Sequence, residues 1–152
     1  MIITFAGHRF VHNHDEIKKR VKAAIREVVI TNEALVCLCG GYGEFDNICA
    51  SACRELKTEG MNVTIVYVTP YITLSEQKKI NERQSTLPYD SIFYPPIENT
   101  PLKFAISKRN EWMMSEADIV ISYIKHNYGG AYKSVTFAKR KKKKIINIYD
   151  IK

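Results

Sequence analysis

Apolar residues in this chain fall into two patterns. Short unbroken runs cover residues 1–6, 35–38, 63–68, 119–124 and 145–148. Runs of this length, rich in β-branched side chains, suit strands buried on both faces. Between them the apolar positions recur at helical spacing. Ile17, Val21, Ala24, Ile25 and Val28 form one stripe, entered through Asn13 or His14 with Asp15 and Glu16 in the first turn and ended by Thr31-Asn32. Phe45, Ile48, Cys49, Ala52, Cys53 and Leu56 form a second, closed by Gly60. Acids at a helix start and glycine just past its end are the expected punctuation. Pro70 stops the strand at 63–68; residues 75–84 read as a polar helix, 91–94 as a short strand closed by Pro95-Pro96, and 97–100 as a loop. Residues 101–117 form a helix with Pro101 in its first turn, where proline is tolerated, and a last helix runs from Gly129-Gly130 to about Lys141.

Strands therefore alternate with helices from end to end. That order predicts an α/β fold: a single Rossmann-like, doubly wound, mostly parallel sheet with helices on both faces, one domain over residues 1–152. In such sheets ligands bind beyond the carboxyl ends of the strands, where the strand order switches. Three polar or glycine-rich loops follow strands: Gly7-His8-Arg9, residues 40–46, and residues 126–130. All three are expected on the same sheet edge, as the rim of one pocket.

Composition changes this picture little. Of 152 residues, 45% are hydrophobic and 26% charged, ordinary values for a globular protein. No stretch approaches a membrane-spanning length and the start has no signal-peptide pattern, which points to the cytoplasm and away from membrane partners. Cys37 and Cys39 share a strand face and Cys49 and Cys53 a helix face, but no spacing matches a zinc module; buried reduced thiols are the expectation, with no metal and no cofactor. The net charge is +7, much of it in the run Lys139-Arg140-Lys141-Lys142-Lys143-Lys144. Six cations can meet nucleic acid; at the end of a helix they also complement its carbonyl dipole, and the second reading is preferred.

The candidate chemistry lies in the loops. Gly40, Gly41 and Gly43 stand between a strand and a helix, where free N–H groups and the positive helix end favour an anion such as phosphate. Gly129 and Gly130 repeat that arrangement, and Tyr128 and Tyr132 beside them either stack on a base or pack. Arg9 offers paired donors to a phosphate or carboxylate. His8 is more ordinary as a structural hydrogen-bonder. Asp46 and Glu44 either cap the helix or, for Asp46 above all, hold ribose hydroxyls or act as a general acid or base. Arg109, Asn110 and Glu111 share a helix, and the neighbouring Met113-Met114 pair reads as core. Asp118, at the start of a strand, reads as structural.

Together Phe5-Ala6-Gly7-His8-Arg9, Gly40-Gly41-Tyr42-Gly43-Glu44-Phe45-Asp46, Arg109-Asn110-Glu111-Trp112-Met113 and Gly129-Gly130-Ala131-Tyr132-Lys133-Ser134-Val135 resemble the YpsA-like branch of the SLOG superfamily. That superfamily includes DNA-processing protein A, the "Lonely guy" cytokinin-activating enzymes, and Rossmann-like domains proposed to sense nucleotides or their derivatives. The resemblance implies ligand-binding roles for Gly7, Arg9, Gly40, Gly41, Asp46, Arg109, Asn110, Gly129 and Gly130. A nucleotide-binding, sensor-like module is the leading expectation, with a small nucleotide-like molecule as ligand. The alternative is an N-glycoside hydrolase acting on nucleoside 5'-monophosphates. No proline precedes Gly129, however, and Thr136 stands where those enzymes have their glutamate, so Asp46 or Glu111 would have to substitute as the catalytic carboxylate. A nucleic-acid-binding protein is the second alternative. Homo-oligomerisation stays open.

Overall fold

The computed structural model of the chain describes residues 1–30, 32–86 and 89–150. The apolar runs become strands β1 (Ile2–Gly7), β2 (Leu35–Cys39), β3 (Val63–Val68), β4 (Ser91–Phe93), β5 (Ile119–Tyr123) and β6 (Lys144–Asn147). The helical stripes become α1 (His14–Val28), α2 (Glu44–Thr58), α3 (Leu74–Thr86), α4 (Ala105–Glu116) and α5 (Gly130–Arg140). The strands form one sheet in the order β4-β3-β2-β1-β5-β6. Every pairing is parallel, so the sheet is wholly rather than mostly so.

The chain winds outward from β1 to β4, crosses back, and continues through β5 to β6. Right-handed crossovers then put the helices of the two halves on opposite faces. Two cores result. On one face Ile3, Phe5, Leu35, Cys37, Ile65 and Ile121 pack against Val21 and Ile25 of α1 and Phe45, Cys49 and Leu56 of α2. On the other, Ala6, Leu38, Val68 and Val120 meet Met113 and Met114 of α4 and Val135 and Ala138 of α5. Alternate residues of each buried strand thus serve alternate faces. All four cysteines are free and buried. Burial pushes the Cys39 and Cys49 thiols up; at Cys53 the hydrogen bond with Cys37 adds to burial and is the larger cause.

Local differences from the sequence pattern have local causes. Residues 102–104 form a 3-10 turn entered from Pro101, and the α-helix starts only at Ala105. Ile148 leaves the last strand for a 3-10 turn, because the Asn147 side chain bonds both the N–H and the carbonyl of Ile124 at 3.0 and 2.9 Å and closes the ladder there. At the end of α1, Thr31 lies outside the described residues; Asn32 takes a left-handed φ of 68°. Asp118 is structural as expected: its carboxylate accepts the Ile2 N–H at 2.8 Å and its own N–H donates to the Ile2 carbonyl, stapling β5 to β1. Among the described residues no helix is long and apolar enough to cross a membrane, and no cluster of three His, Cys, Asp or Glu could hold a metal.

Candidate functional site

The winding reverses between β1 and β5, so the loops leaving these neighbours turn to opposite faces and leave a crevice between them. A cavity of about 530 Å³ opens there. Its lining comes from the loops after β1, β2 and β5, from α4, and from the first turns of α2 and α5. Of the residues singled out in the sequence, it brings together Gly7, His8, Arg9, Gly40, Asp46, Arg109, Asn110, Gly129 and Gly130. Met113 and Met114 are core residues, as the sequence indicated, and also line the cavity. Gly41, Gly43, Glu111 and Tyr132 are not among the lining residues. Glu111 instead pairs with Lys108 at 3.2 Å on the side of α4, so as a candidate catalytic carboxylate it stands apart from Asp46.

The two glycine loops differ in what surrounds them. At the first, a Cβ on Gly41 would meet the Tyr67 ring and the Arg83 guanidinium, and one on Gly43 would lie 3.1 Å from the Arg9 backbone; at the end of β1, one on Gly7 would collide with the Phe45 side chain. These glycines make room for neighbouring groups of the chain itself. At the start of α2 one helix amide is engaged, that of Glu44, while among the described residues no hydrogen bond takes the N–H of Phe45 or Asp46. The Glu44 N–H donates to the Arg9 carbonyl at 2.8 Å, and the Tyr42 N–H to Asp46 Oδ2 at 3.0 Å. The Glu44 carboxylate accepts the Val11 N–H, which holds its pKa below the ordinary value. Arg83 donates to the Gly41 carbonyl, and Tyr42 and Tyr67 donate their hydroxyls to Glu76 of α3.

The second loop is open. Nothing lies within 4 Å of a Cβ built on Gly129 or Gly130, and Gly129 has a φ of 93° that favours glycine. The first turn of α5 holds no acid and no side-chain cap. Among the described residues, no hydrogen bond engages the N–H of Gly130, Ala131 or Tyr132.

Among the described residues Arg109 is the largest fully buried side chain. Its Nη1 donates to the Gly40 carbonyl at 2.9 Å and the Val68 carbonyl at 2.7 Å, and its Nε to Asn110 Oδ1 at 2.9 Å. It ties the ends of β2 and β3 together, a structural duty that spacing alone does not reveal. A Cβ on Gly40 would sit 3.4 Å from this guanidinium and 3.5 Å from Asp46 Oδ2, so Gly40 marks where both groups meet the cavity. Burial raises the Asp46 carboxyl to about 6, against the opposing pull of Arg109, the Tyr42 N–H and Arg83. Asp46 braces its own loop through the Tyr42 N–H.

Sequence reasoning passed over Lys125 and gave His126 no role of its own. The signal was present: Lys125 stands two residues beyond β5 as Arg9 stands two residues beyond β1, and Gly7 pairs with Tyr123 in the sheet. The Lys125 N–H donates to His8 Nε2 at 2.9 Å, so the neutral His8 ring carries its proton on Nδ1. Burial, then His126 and Lys125, lower the His8 pKa. Arg9 is exposed on the cavity and forms no ion pair among the described residues.

No protein-family model and no curated protein sequence matches the chain. Among solved structures, DNA processing protein A from Helicobacter pylori, studied for its single-stranded DNA binding mode, is similar with a TM-score of 0.61 at 15% identity. The match covers 95% of this chain, which spans 63% of that one. At this identity the similarity is one of fold, and it is compatible with the SLOG-like fold that the motifs imply.

Proposed function

We propose that the chain is a cytoplasmic nucleotide- or nucleotide-derivative-binding module, a single domain of the YpsA-like SLOG branch. Its ligand sets a phosphate on the first turn of α5 and its sugar toward Asp46, Arg109 and Asn110. The observation that carries this reading is the contrast between the helix starts. The start of α5 has free N–H groups, open glycines and no acid, and it lines the same cavity as Arg9 and Lys125. Unpaired helix-start amides, a helix dipole and nearby cations together favour a phosphate. The cavity volume is in the range of small-molecule sites, about 300–1,000 Å³.

Two observations favour other readings. A buried carboxyl raised to about 6 beside the sugar position suits general acid or base work, which supports an N-glycoside hydrolase built on Asp46. The structural neighbour's single-stranded DNA supports a nucleic-acid ligand.

Titration calorimetry with AMP, GMP, CMP and UMP separates the three. The module reading expects micromolar to millimolar binding without turnover, weakened at least tenfold by Arg9→Ala at unchanged melting temperature. Release of free base, abolished by Asp46→Asn, selects the hydrolase. Binding only to oligonucleotides, with steep salt dependence, selects nucleic acid. If Arg9→Ala leaves every dissociation constant unchanged, the phosphate assignment fails.

A further inference from the structure

A column of aromatic rings leads from the core to the cavity mouth. Phe45, buried, stacks on Tyr123 with centroids 5.8 Å apart. His8 meets the Tyr123 ring edge-on at 6.1 Å. His126 lies on His8 at 3.8 Å and 19°, and Tyr128 lies on His126 at 3.9 Å and 12°. His8, His126 and Tyr128 all line the cavity, and Tyr128 is 67% exposed. Among the described residues His126 Nδ1 is buried without a hydrogen-bond partner, and two ring faces flank this imidazole. The Lys125 N–H bond to His8 Nε2 fixes the inner ring. A large aromatic held parallel on one side and uncovered on the other offers a preset π face one residue before Gly129.

We propose that Tyr128 is the platform for a nucleobase, so that the ligand is a base-bearing mononucleotide rather than a sugar phosphate. This rests on the nucleotide reading above and assigns the subsite that reading leaves open. A base on Tyr128 extends the column by one ring, while its phosphate lies at α5. Stacking tolerates any base, so recognition here is of the aromatic class and not of one base. The ring is set in advance by His126 and His8, which reduces the ordering cost of binding.

AMP and ribose 5-phosphate, titrated into the wild-type protein, Tyr128→Leu and Tyr128→Trp, test the platform. Wild type should bind AMP more tightly than ribose 5-phosphate. Tyr128→Leu should weaken AMP about tenfold and leave ribose 5-phosphate unchanged, the size expected for loss of one base stack. Tyr128→Trp should keep AMP affinity and gain a fluorescence signal quenched by AMP but not by ribose 5-phosphate. Equal binding of both ligands, indifferent to Tyr128→Leu, overturns the platform and leaves the phosphate site standing. Binding of neither overturns the nucleotide reading and the platform with it. Loss of oligothymidylate binding in Tyr128→Leu with AMP binding intact also overturns it, because the ring would then serve a strand.

Discussion

The loops before α2 and α5 are both glycine-rich, both follow a β-strand, and both reach the same edge of the sheet. Their interiors are opposite. The first is filled by Tyr67 and Arg83 and braced by Arg109, Asp46 and Glu44. The second has space around both glycines and unclaimed amides. A glycine permits close approach, but the approaching group can be the protein's own side chain. The first loop is a joint that shapes the cavity; the second leaves its space and its amides open.

If the first loop is a joint, its substitutions act on folding before they act on binding. The largest effect is expected at its brace. Arg109→Ala leaves the Gly40 and Val68 carbonyls unpaired and Asp46 without its cation, which should cost about 3–5 kcal/mol in urea unfolding. A cost below about 1 kcal/mol would mean that the guanidinium serves the ligand and not the loop.

The glycines themselves come next. Gly41→Ala drives a methyl into Tyr67 and Arg83 at a φ of 73° and should destabilise by about 2–4 kcal/mol. Gly130→Ala, with no atom near its Cβ position, should stay within about 1 kcal/mol of wild type and is read instead in AMP affinity, where a several-fold loss is expected. Equal melting temperatures for the two variants would erase the distinction between the loops.

Asp46 gives the comparison a pH dependence. Its folded pKa, about 6, lies above the ordinary aspartate value, so the fold favours the protonated form. That stabilisation is complete below about pH 4 and is lost as pH rises through 6. Unfolding free energies of wild type and Asp46→Asn across pH 4–8 should therefore diverge, the asparagine variant gaining about 2–3 kcal/mol relative to wild type toward alkaline pH. His8 works in the opposite sense, since its lowered pKa gives stability that fades as pH falls below about 6.5. It is common to both proteins and cancels in the difference. A flat difference would show that Asp46 titrates normally.

The smallest effect is expected in the basic run. Residues 139–144 span the end of α5 and the start of β6, roughly 16 Å from the cavity end of the helix at 1.5 Å per residue. Lys143 donates to the Ser115 carbonyl at the end of α4, and Arg140 and Lys141 lie over the Phe137 ring. These contacts fit cations that close helix ends. Lys141→Gln with Lys144→Gln should change stability by less than about 0.5 kcal/mol and leave AMP affinity unaltered. A marked loss of oligonucleotide binding in the same variant would instead reveal a second, basic surface.

Much of this fold was legible in the order of residues. The parallel sheet followed from apolar runs alternating with helical stripes, because buried strands and amphipathic helices have different periods. The shared edge followed from that alternation, since parallel strands all end on one side. The division of labour among the loops was not legible. Gly41 is closed by Tyr67 of β3 and Arg83 of α3, and Arg109 of α4 is claimed by carbonyls at the ends of β2 and β3. The ring column likewise joins residues after β1 to residues after β5. Local sequence decides whether a backbone can turn without a Cβ. Whether the space so made is occupied depends on side chains from distant segments, and only the packed molecule brings them there.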